Sequence, residues 1–183
     1  MEPGEIIGQI VGIIAMLTMC ISYQFKKSPQ IFLTQLIASF LFSVHFLLIG
    51  AYTGLILNAV ELLRGYLLYR EDKKWTGSYP VIIIITALMG LGGILTWEGW
   101  YSLFPTLAMV VGTPLLWTRK ERVIRFTGLF LISPFWLIYN IRVLSIAGII
   151  NESLNIGSII ISLIRYRGKK KPTPAMETSS VKQ

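Results

Sequence analysis

Seven long apolar runs, separated by short polar stretches, are the feature of this sequence that most constrains its fold. Of its 183 residues, 54% are apolar and 14% are charged, whereas about 25% of residues are charged in ordinary soluble domains. Most runs are near the roughly 17 to 25 residues of a spanning helix, and none alternates as a barrel strand would. The sequence therefore predicts an all-α integral membrane protein with seven transmembrane helices. The runs are Ile6–Phe25, Ile31–Gly50, Leu55–Tyr69, Pro80–Trp97, Trp100–Trp117, Ile124–Arg142 and Ile146–Ile164.

Basic residues lie between alternate runs, which predicts how the helices are oriented. Lys and Arg accumulate in cytoplasmic loops, so the N-terminus is predicted outside and the C-terminus in the cytoplasm. The same scatter argues against a nucleic-acid partner, which would need the bases gathered on one face. With this orientation, Arg142 lies outside, and the inner side holds Lys26, Lys27, Arg70, Lys73, Lys74, Arg119, Lys120, Arg122, Arg125, Arg165, Arg167, Lys169, Lys170, Lys171 and Lys182.

The two ends of the chain and its single cysteine give three smaller expectations. The acidic start at Glu2 and Glu5 argues against a removable signal peptide, so the first run is expected to stay as a transmembrane helix. The polar tail 168–183 is predicted to be disordered, and its bases Lys169, Lys170 and Lys171 to contact anionic lipids. Cys20 lies in an apolar run and is expected to be a buried hydrophobic residue.

A shift of 94 residues superimposes the first three runs on the last three. Residue identity is at chance level, but the organisation matches: a basic inner loop, a short outer loop, and a glycine (Gly54 or Gly148) that opens the third helix. Two triplets of equal orientation need an odd number of helices between them, which predicts a three-one-three plan of parallel repeats. The predicted units are 1–70, 71–99 with helix four, 100–167 and the tail 168–183.

Two carboxylates and two amides lie inside the third and seventh runs. Asn58 and Glu61 are three residues apart, hence on one helical face, and the 94-residue shift places them on Glu152 and Asn155. Across a pseudo-twofold axis, Asn58 would face Glu152 and Glu61 would face Asn155. Ionisable groups at this depth are costly unless paired or hydrated, which makes the four residues candidates for a substrate-binding cavity. The alternative is structural: an ion pair of Glu61 with Arg64, and amides that hold helices together.

A second set of polar residues is assigned to gating or proton-linked roles. His45 and Tyr139 lie near the outer ends of the second and sixth runs, and Asn140 and Arg64 complete the set. His45 is the only histidine and has a side chain that titrates near neutral pH; a purely hydrogen-bonding role at the interface is the alternative. Three glycines in the fourth run are assigned to close helix packing: Gly90, Gly92 and Gly93.

Several stretches resemble the bacterial inner membrane protein YgjV family over essentially the whole chain. They are Val44–Tyr52, Leu57–Ala59, Trp136–Asn140 and Ser145–Gly148 together with Glu152. That family looks distantly similar to the SWEET and PQ-loop transporters, in which an Asn on the third helix and another on the seventh flank the substrate. The resemblance implies a bacterial inner-membrane location. It also places Asn58 at the first of these positions and either Asn155 or Glu152 at the second.

The function expected from these observations is transport of a small solute, sugar-like or metabolite-like, by alternating access between two three-helix bundles. Pro105, Pro114 and Pro134 are expected to provide bends, and proton coupling would follow if Glu61 or Glu152 changes protonation. A non-transporting receptor or adaptor on a SWEET-like fold is the alternative. Enzyme and cofactor motifs are absent from the sequence, including a metal-binding H-E-x-x-H and a Gly-rich phosphate loop. Homo-oligomer formation is left open.

Overall fold

The computed structural model describes residues 3–22, 28–70, 74–118 and 120–167, and all its regular elements are helical. Helices α6 and α7 are joined by a π-helical turn, so that the described residues form seven helical spans. Lys26, Lys27, Lys73, Arg119 and the tail 168–183 lie outside the described residues. The helices are α1 (Pro3–Ser22), α2 (Ser28–Leu48), α3 (Tyr52–Tyr69), α4 (Tyr79–Leu95), α5 (Leu103–Trp117), α6 (Glu121–Thr127), the π turn (Gly128–Ile132), α7 (Ser133–Arg142) and α8 (Ile146–Arg167).

Helix ends differ from the ends of the apolar runs because capping contacts, rather than hydropathy, set them. Helix α3 begins at Tyr52 and not at Leu55. The backbone N–H groups of Tyr52 and Thr53 donate to the carboxylate of Glu98, at 2.9 and 3.1 Å. A helix N-terminus carries unpaired N–H groups and a partial positive charge, so a carboxylate from a distant loop caps it well. The helix is thus three residues longer than the apolar run.

Pro134 accounts for the π turn in the sixth span. Proline has no N–H to donate, and its ring clashes with the carbonyl four residues earlier. The helix accommodates it by widening one turn, where Ser133 N–H bonds to Gly128 O, five residues back. Such π turns and prolines are the usual causes of helix kinks. The predicted bend at Pro134 therefore has a structural basis in the turn that precedes it.

The helices form a closed ring in which α4 is the outlier. Helices α1, α2 and α3 pack in sequence order, as do α5, α7 and α8, and α8 packs back against α1. Helix α4 packs against α3 and α5. The three-one-three plan and its internal repeat stay predictions.

Apolar side chains face outward on every helix, and polar ones are collected inside. Ile83, Phe130 and Ile164 are each about two-thirds exposed, whereas His45 and Asn140 are buried. This is the distribution expected of a protein surrounded by lipid, where buried polar groups must find partners within the protein. Within the described part of the chain, one helix, Pro3–Ile21, is by length and composition able to cross a membrane, and the shorter apolar helices there include Leu33–Leu48, Tyr79–Leu95 and Ile146–Ile161. The seven-span topology and its orientation stay predictions.

Glycines of α4 allow this helix to approach its neighbours closely. A β-carbon on Gly93 would overlap the side chain of Thr106 on α5, and one on Gly92 would overlap Ile56 on α3. At Gly90, by contrast, the nearest atom is a methyl of Val110 at 3.5 Å, an ordinary contact distance. Two of the three glycines therefore have the packing role that the sequence predicts.

We expect Gly93→Ala to destabilise the protein relative to Gly90→Ala. Both changes raise helix propensity equally, but only the first forces Thr106 out of place, a strain of about 1–3 kcal/mol. Thermal unfolding of the two variants in lipid nanodiscs measures the difference. Equal melting temperatures would contradict the packing role of Gly93.

Candidate functional site

A cavity of about 380 Å³ lies at the centre of the helix ring. This volume is within the range of sites for small molecules, about 300–1,000 Å³. Its walls come from every span except α4. They consist of Met19, Gln35, Leu36, Ser39, Phe42, Phe46, Asn58, Glu61, Gly65, Leu116, Ile132, Ser133, Trp136, Asn140, Gly148, Asn151, Glu152 and Asn155.

All four residues predicted to bind substrate line this cavity: Asn58, Glu61, Glu152 and Asn155. Of the residues assigned to gating, Asn140 also lines it, whereas His45, Tyr139 and Arg64 lie outside its walls. The cavity thus brings together residues from α3, α7 and α8 that are far apart in the sequence. Sequence reasoning did not identify Ser133, Asn151 or the aromatic wall, because small polar and aromatic residues are common in apolar helices and carry no distinctive spacing.

Glu61 has its charge balanced within the protein. Its Oε1 accepts a hydrogen bond from Arg64 Nη2 at 2.7 Å, and the Arg64 side chain is 5% exposed against 34% for Glu61. The other arm of the guanidinium donates to Thr113 Oγ1 on α5, at 3.2 Å. The ion pair considered as the structural alternative is therefore formed, and it ties α3 to α5. Glu61 lines the cavity and is paired at the same time.

Glu152 is held by amides and has no ion pair among the described residues. Asn151 Nδ2 donates to Oε1 at 3.2 Å, and Asn155 Nδ2 lies 3.5 Å from Oε2. Asn58 instead donates to Gly54 O on its own helix, at 2.9 Å. Each of these amides finds its partner on its own helix, so no direct hydrogen bond forms the predicted pairs across the cavity, Asn58 with Glu152 and Glu61 with Asn155, within the described chain.

Burial changes from one end of the cavity to the other. The wall residues near the α2–α3 and α7–α8 turns, such as Phe46, Asn140 and Gly148, are buried. Those near the other end, such as Met19, Gln35 and Leu116, are half-buried. Among the described residues, the cavity is therefore enclosed at the end formed by the two turns, hereafter the closed end, and its wall is more exposed at the opposite end, hereafter the open end.

His45 closes part of the closed end by joining three helices. Its Nδ1 lies 2.7 Å from Gly8 O on α1, and its Nε2 lies 2.7 Å from Ser145 Oγ, just before α8. Since a carbonyl only accepts hydrogen bonds, Nδ1 must donate, and the neutral ring then accepts from Ser145 at Nε2. Gly12 leaves the space that the ring occupies, because a β-carbon there would overlap it. His45 thus makes hydrogen bonds with both ring nitrogens, as the hydrogen-bonding alternative for this residue expects.

Tyr139 closes the rest of this end. Its hydroxyl donates to Glu98 Oε2 at 3.0 Å and accepts from Gly54 N–H at 2.8 Å. Since Glu98 also caps α3, one carboxylate links α3, α7 and the α4–α5 connection. Sequence reasoning gave Glu98 no role, because nothing in its local pattern indicates a contact with residues more than 40 positions away.

Asn140 carries an unsatisfied acceptor at the closed end. The residue is 2% exposed, and its Oδ1 is the one buried side-chain polar atom of the described residues without a hydrogen-bond partner. Its amide packs directly on Gly148, where a β-carbon would overlap it. An orphaned buried acceptor costs about 1–3 kcal/mol, so its retention calls for a functional explanation.

We expect Tyr139→Phe to destabilise the closed end. The change leaves the buried Gly54 N–H without its partner, at a cost of about 1–3 kcal/mol. Tyr101→Phe is the matched control, because its half-buried hydroxyl donates to the backbone carbonyl of Glu98 at 3.2 Å and water can replace that contact. Hydrogen exchange at the start of α3 should accelerate in the first variant and not in the second. Unchanged exchange in Tyr139→Phe would show that the hydroxyl does not hold this end shut.

Comparison with known proteins confirms the resemblance to the YgjV family, whereas the similarity to SWEET and PQ-loop transporters stays a prediction. No curated protein and no solved structure matches the chain. The sequence profile of the Imp-YgjV family, described as bacterial inner membrane protein, matches residues 6–170. Because this match spans nearly all of the chain, the protein belongs to the Imp-YgjV family of bacterial inner membrane proteins.

Proposed function

We propose that the protein carries a small polar solute across the bacterial inner membrane by alternating access between α1–α3 and α5–α8. The observation that carries this proposal is the central polar cavity, open at one end and shut at the other. Such a cavity, framed by apolar outer faces, offers a solute a hydrated site within a membrane. Non-transporting proteins have little reason to keep it, since buried ionisable groups are costly in lipid.

The hydrogen bonds of the closed end have the properties of a gate. His45 with Ser145, and Gly54 with Tyr139, each join the first three helices to the last three. Gln9 adds a third link, because its Nε2 donates to Leu144 O at 2.7 Å. Few and local, such bonds can break and re-form as two rigid bundles rock against each other. In the predicted orientation the open end faces the cytoplasm, so this conformation is the inward-open one.

The π turn of the sixth span is suited to be the hinge. It lies midway along that span, and Ile132 and Ser133 at its end belong to the cavity wall. A turn already widened before Pro134 can change its bend without losing an ordinary helical hydrogen bond. The part of α7 at the closed end, with Tyr139 and Asn140, then moves away from α3 and α8. That motion would open the closed end.

Alternating access predicts that cavity residues are reached from opposite sides. In a Cys20→Ser background, we expect Met19→Cys to react with a membrane-impermeant maleimide added to the cytoplasmic face. Phe46→Cys, at the closed end, should react only from the outer face, and slowly, because the outward-open state is the minor one. Inverted and right-side-out vesicles give the two measurements.

The closed-end variant supplies the control. Adding Tyr139→Phe should accelerate outer-face labelling of Phe46→Cys, because it weakens the gate. Adding Tyr101→Phe instead should leave the labelling rate unchanged. If Phe46→Cys stays unlabelled from the outside in all these backgrounds, the cavity does not alternate, and a static receptor would be the better description.

We further propose that Glu152 exchanges a proton during the cycle. It faces Glu61 across the cavity with only amide and hydroxyl neighbours, so adding or removing its proton changes the charge of the cavity. The ratio of Phe46→Cys to Met19→Cys labelling should therefore change with pH and become independent of pH in Glu152→Gln. Taking the ratio cancels the pH dependence of the thiol itself. In Glu61→Gln the dependence should persist, since Glu152 is intact; its loss there would assign the proton to Glu61 instead.

A further inference from the structure

We infer that the solute is a small organic cation, with an amine that pairs with Glu152 and a second hydrogen-bond donor that reaches Asn140. The inference rests on the proposed function, and it names the substrate class of the same cavity. It was not foreseen from the sequence, in which the two carboxylates of the cavity looked equivalent. The structure makes them different.

The charges of the cavity wall do not balance. Among the described residues, the charged side chains of the wall are Glu61 and Glu152, and no Lys or Arg contributes to it. Arg64, placed behind the wall on the side of α5, neutralises Glu61. Among the described residues, Glu152 is left with the amides of Asn151 and Asn155 and the hydroxyl of Ser133, and with no cation. A carboxylate at this depth needs a proton or a cation to offset its burial, and the cavity has room for a cation.

The hydrogen-bonding groups of the wall are also unequal. Asn58, Asn151 and Asn155 each direct an NH₂ group to an acceptor inside the protein, namely Gly54 O and the two oxygens of Glu152. One N–H of each amide is thereby used, while the carbonyl oxygens of these amides and the carboxylate oxygens remain as acceptors in the wall. A sugar hydroxyl needs donors and acceptors together, whereas an ammonium group only donates. The wall therefore favours an amine over a neutral polyol.

Asn140 provides a second point of contact for the solute. Its unpartnered Oδ1 lies against Gly148, which is one helical turn from Glu152 on α8, about 6 Å along the helix axis. A donor on the solute would satisfy this acceptor, which no protein group does. Phe46 and Trp136, with ring centroids 5.9 Å apart, belong to the same cavity wall and provide aromatic faces for an alkyl chain or a cation.

Three four-carbon solutes that differ only in their end groups test this inference: putrescine, butanediol and succinate. Calorimetry on the full chain in nanodiscs should detect binding of putrescine, whereas the diol and the dicarboxylate should bind at least about tenfold more weakly, since each tenfold step needs only 1.4 kcal/mol. Stronger binding of butanediol or succinate than of putrescine would overturn the inference.

Variants locate the bound cation. Glu152→Gln should lower putrescine affinity by about tenfold or more, the usual scale for losing a charge-assisted contact, and Glu152→Asp should retain most of it. Glu5→Gln removes one negative charge at the start of α1, outside the cavity, and should leave the affinity as it is. Asn140→Ala should weaken putrescine severalfold and have no such effect on a monoamine of equal length. Equal losses in Glu152→Gln and Glu5→Gln would mean that general charge, not this site, attracts the amine.

The outcome is separable from that of the proposed function. If putrescine fails to bind but cysteines at positions 19 and 46 are still labelled from opposite faces, the cation proposal is wrong and alternating access stands. If putrescine binds but position 46 is never labelled, the cavity is a cation-binding site without transport. Circular dichroism and gel filtration of each variant show that it is folded before binding is compared.

Discussion

Polar groups cannot be left unpaired in lipid, and the rest of this structure follows from that constraint. The chain places its apolar side chains outward on every helix and gathers its buried polar ones at the centre of a ring. There the polar groups pair with one another: Arg64 pairs with Glu61, Glu98 accepts from the start of α3, and Ser145 bonds to His45. The candidate binding site lies where this pairing is incomplete, at Glu152 and at Asn140 Oδ1.

The two ends of the cavity differ in the kind of interaction that holds them. At the closed end, His45 and Tyr139 make direct neutral hydrogen bonds between the two sets of helices, and Tyr139 also donates to the carboxylate of Glu98. Toward the open end, the Arg64 guanidinium bridges Glu61 and Thr113. A buried ion pair is costly to separate, whereas a neutral hydrogen bond contributes about 1 kcal/mol. The direct bonds at the closed end are therefore the ones that the proposed rearrangement would break.

Much of the fold could be predicted from the sequence because lipid imposes strong rules on composition. Continuous apolar runs identified the seven helical spans that the described residues form. The four predicted binding residues do share one cavity, because a spacing of three places Asn58 with Glu61, and Glu152 with Asn155, on single helix faces. Helix ends were less predictable. Helix α3 begins at Tyr52, whose backbone N–H donates to the carboxylate of Glu98, 46 residues away.

Sequence alone determined the class of protein, the helices and the candidate carboxylates, since these depend on local hydropathy and helical periodicity. Tertiary structure decided which carboxylate is neutralised and which end of the cavity is shut. It also decided that Glu98 contributes to the closed end and that Ser133 and Asn151 line the cavity. Those properties depend on distances between helices that meet only after packing. Glu61 and Glu152 look alike along the chain. The position of one arginine behind the wall, 2.7 Å from Glu61, distinguishes them: among the described residues, Glu61 has an ion pair and Glu152 has none.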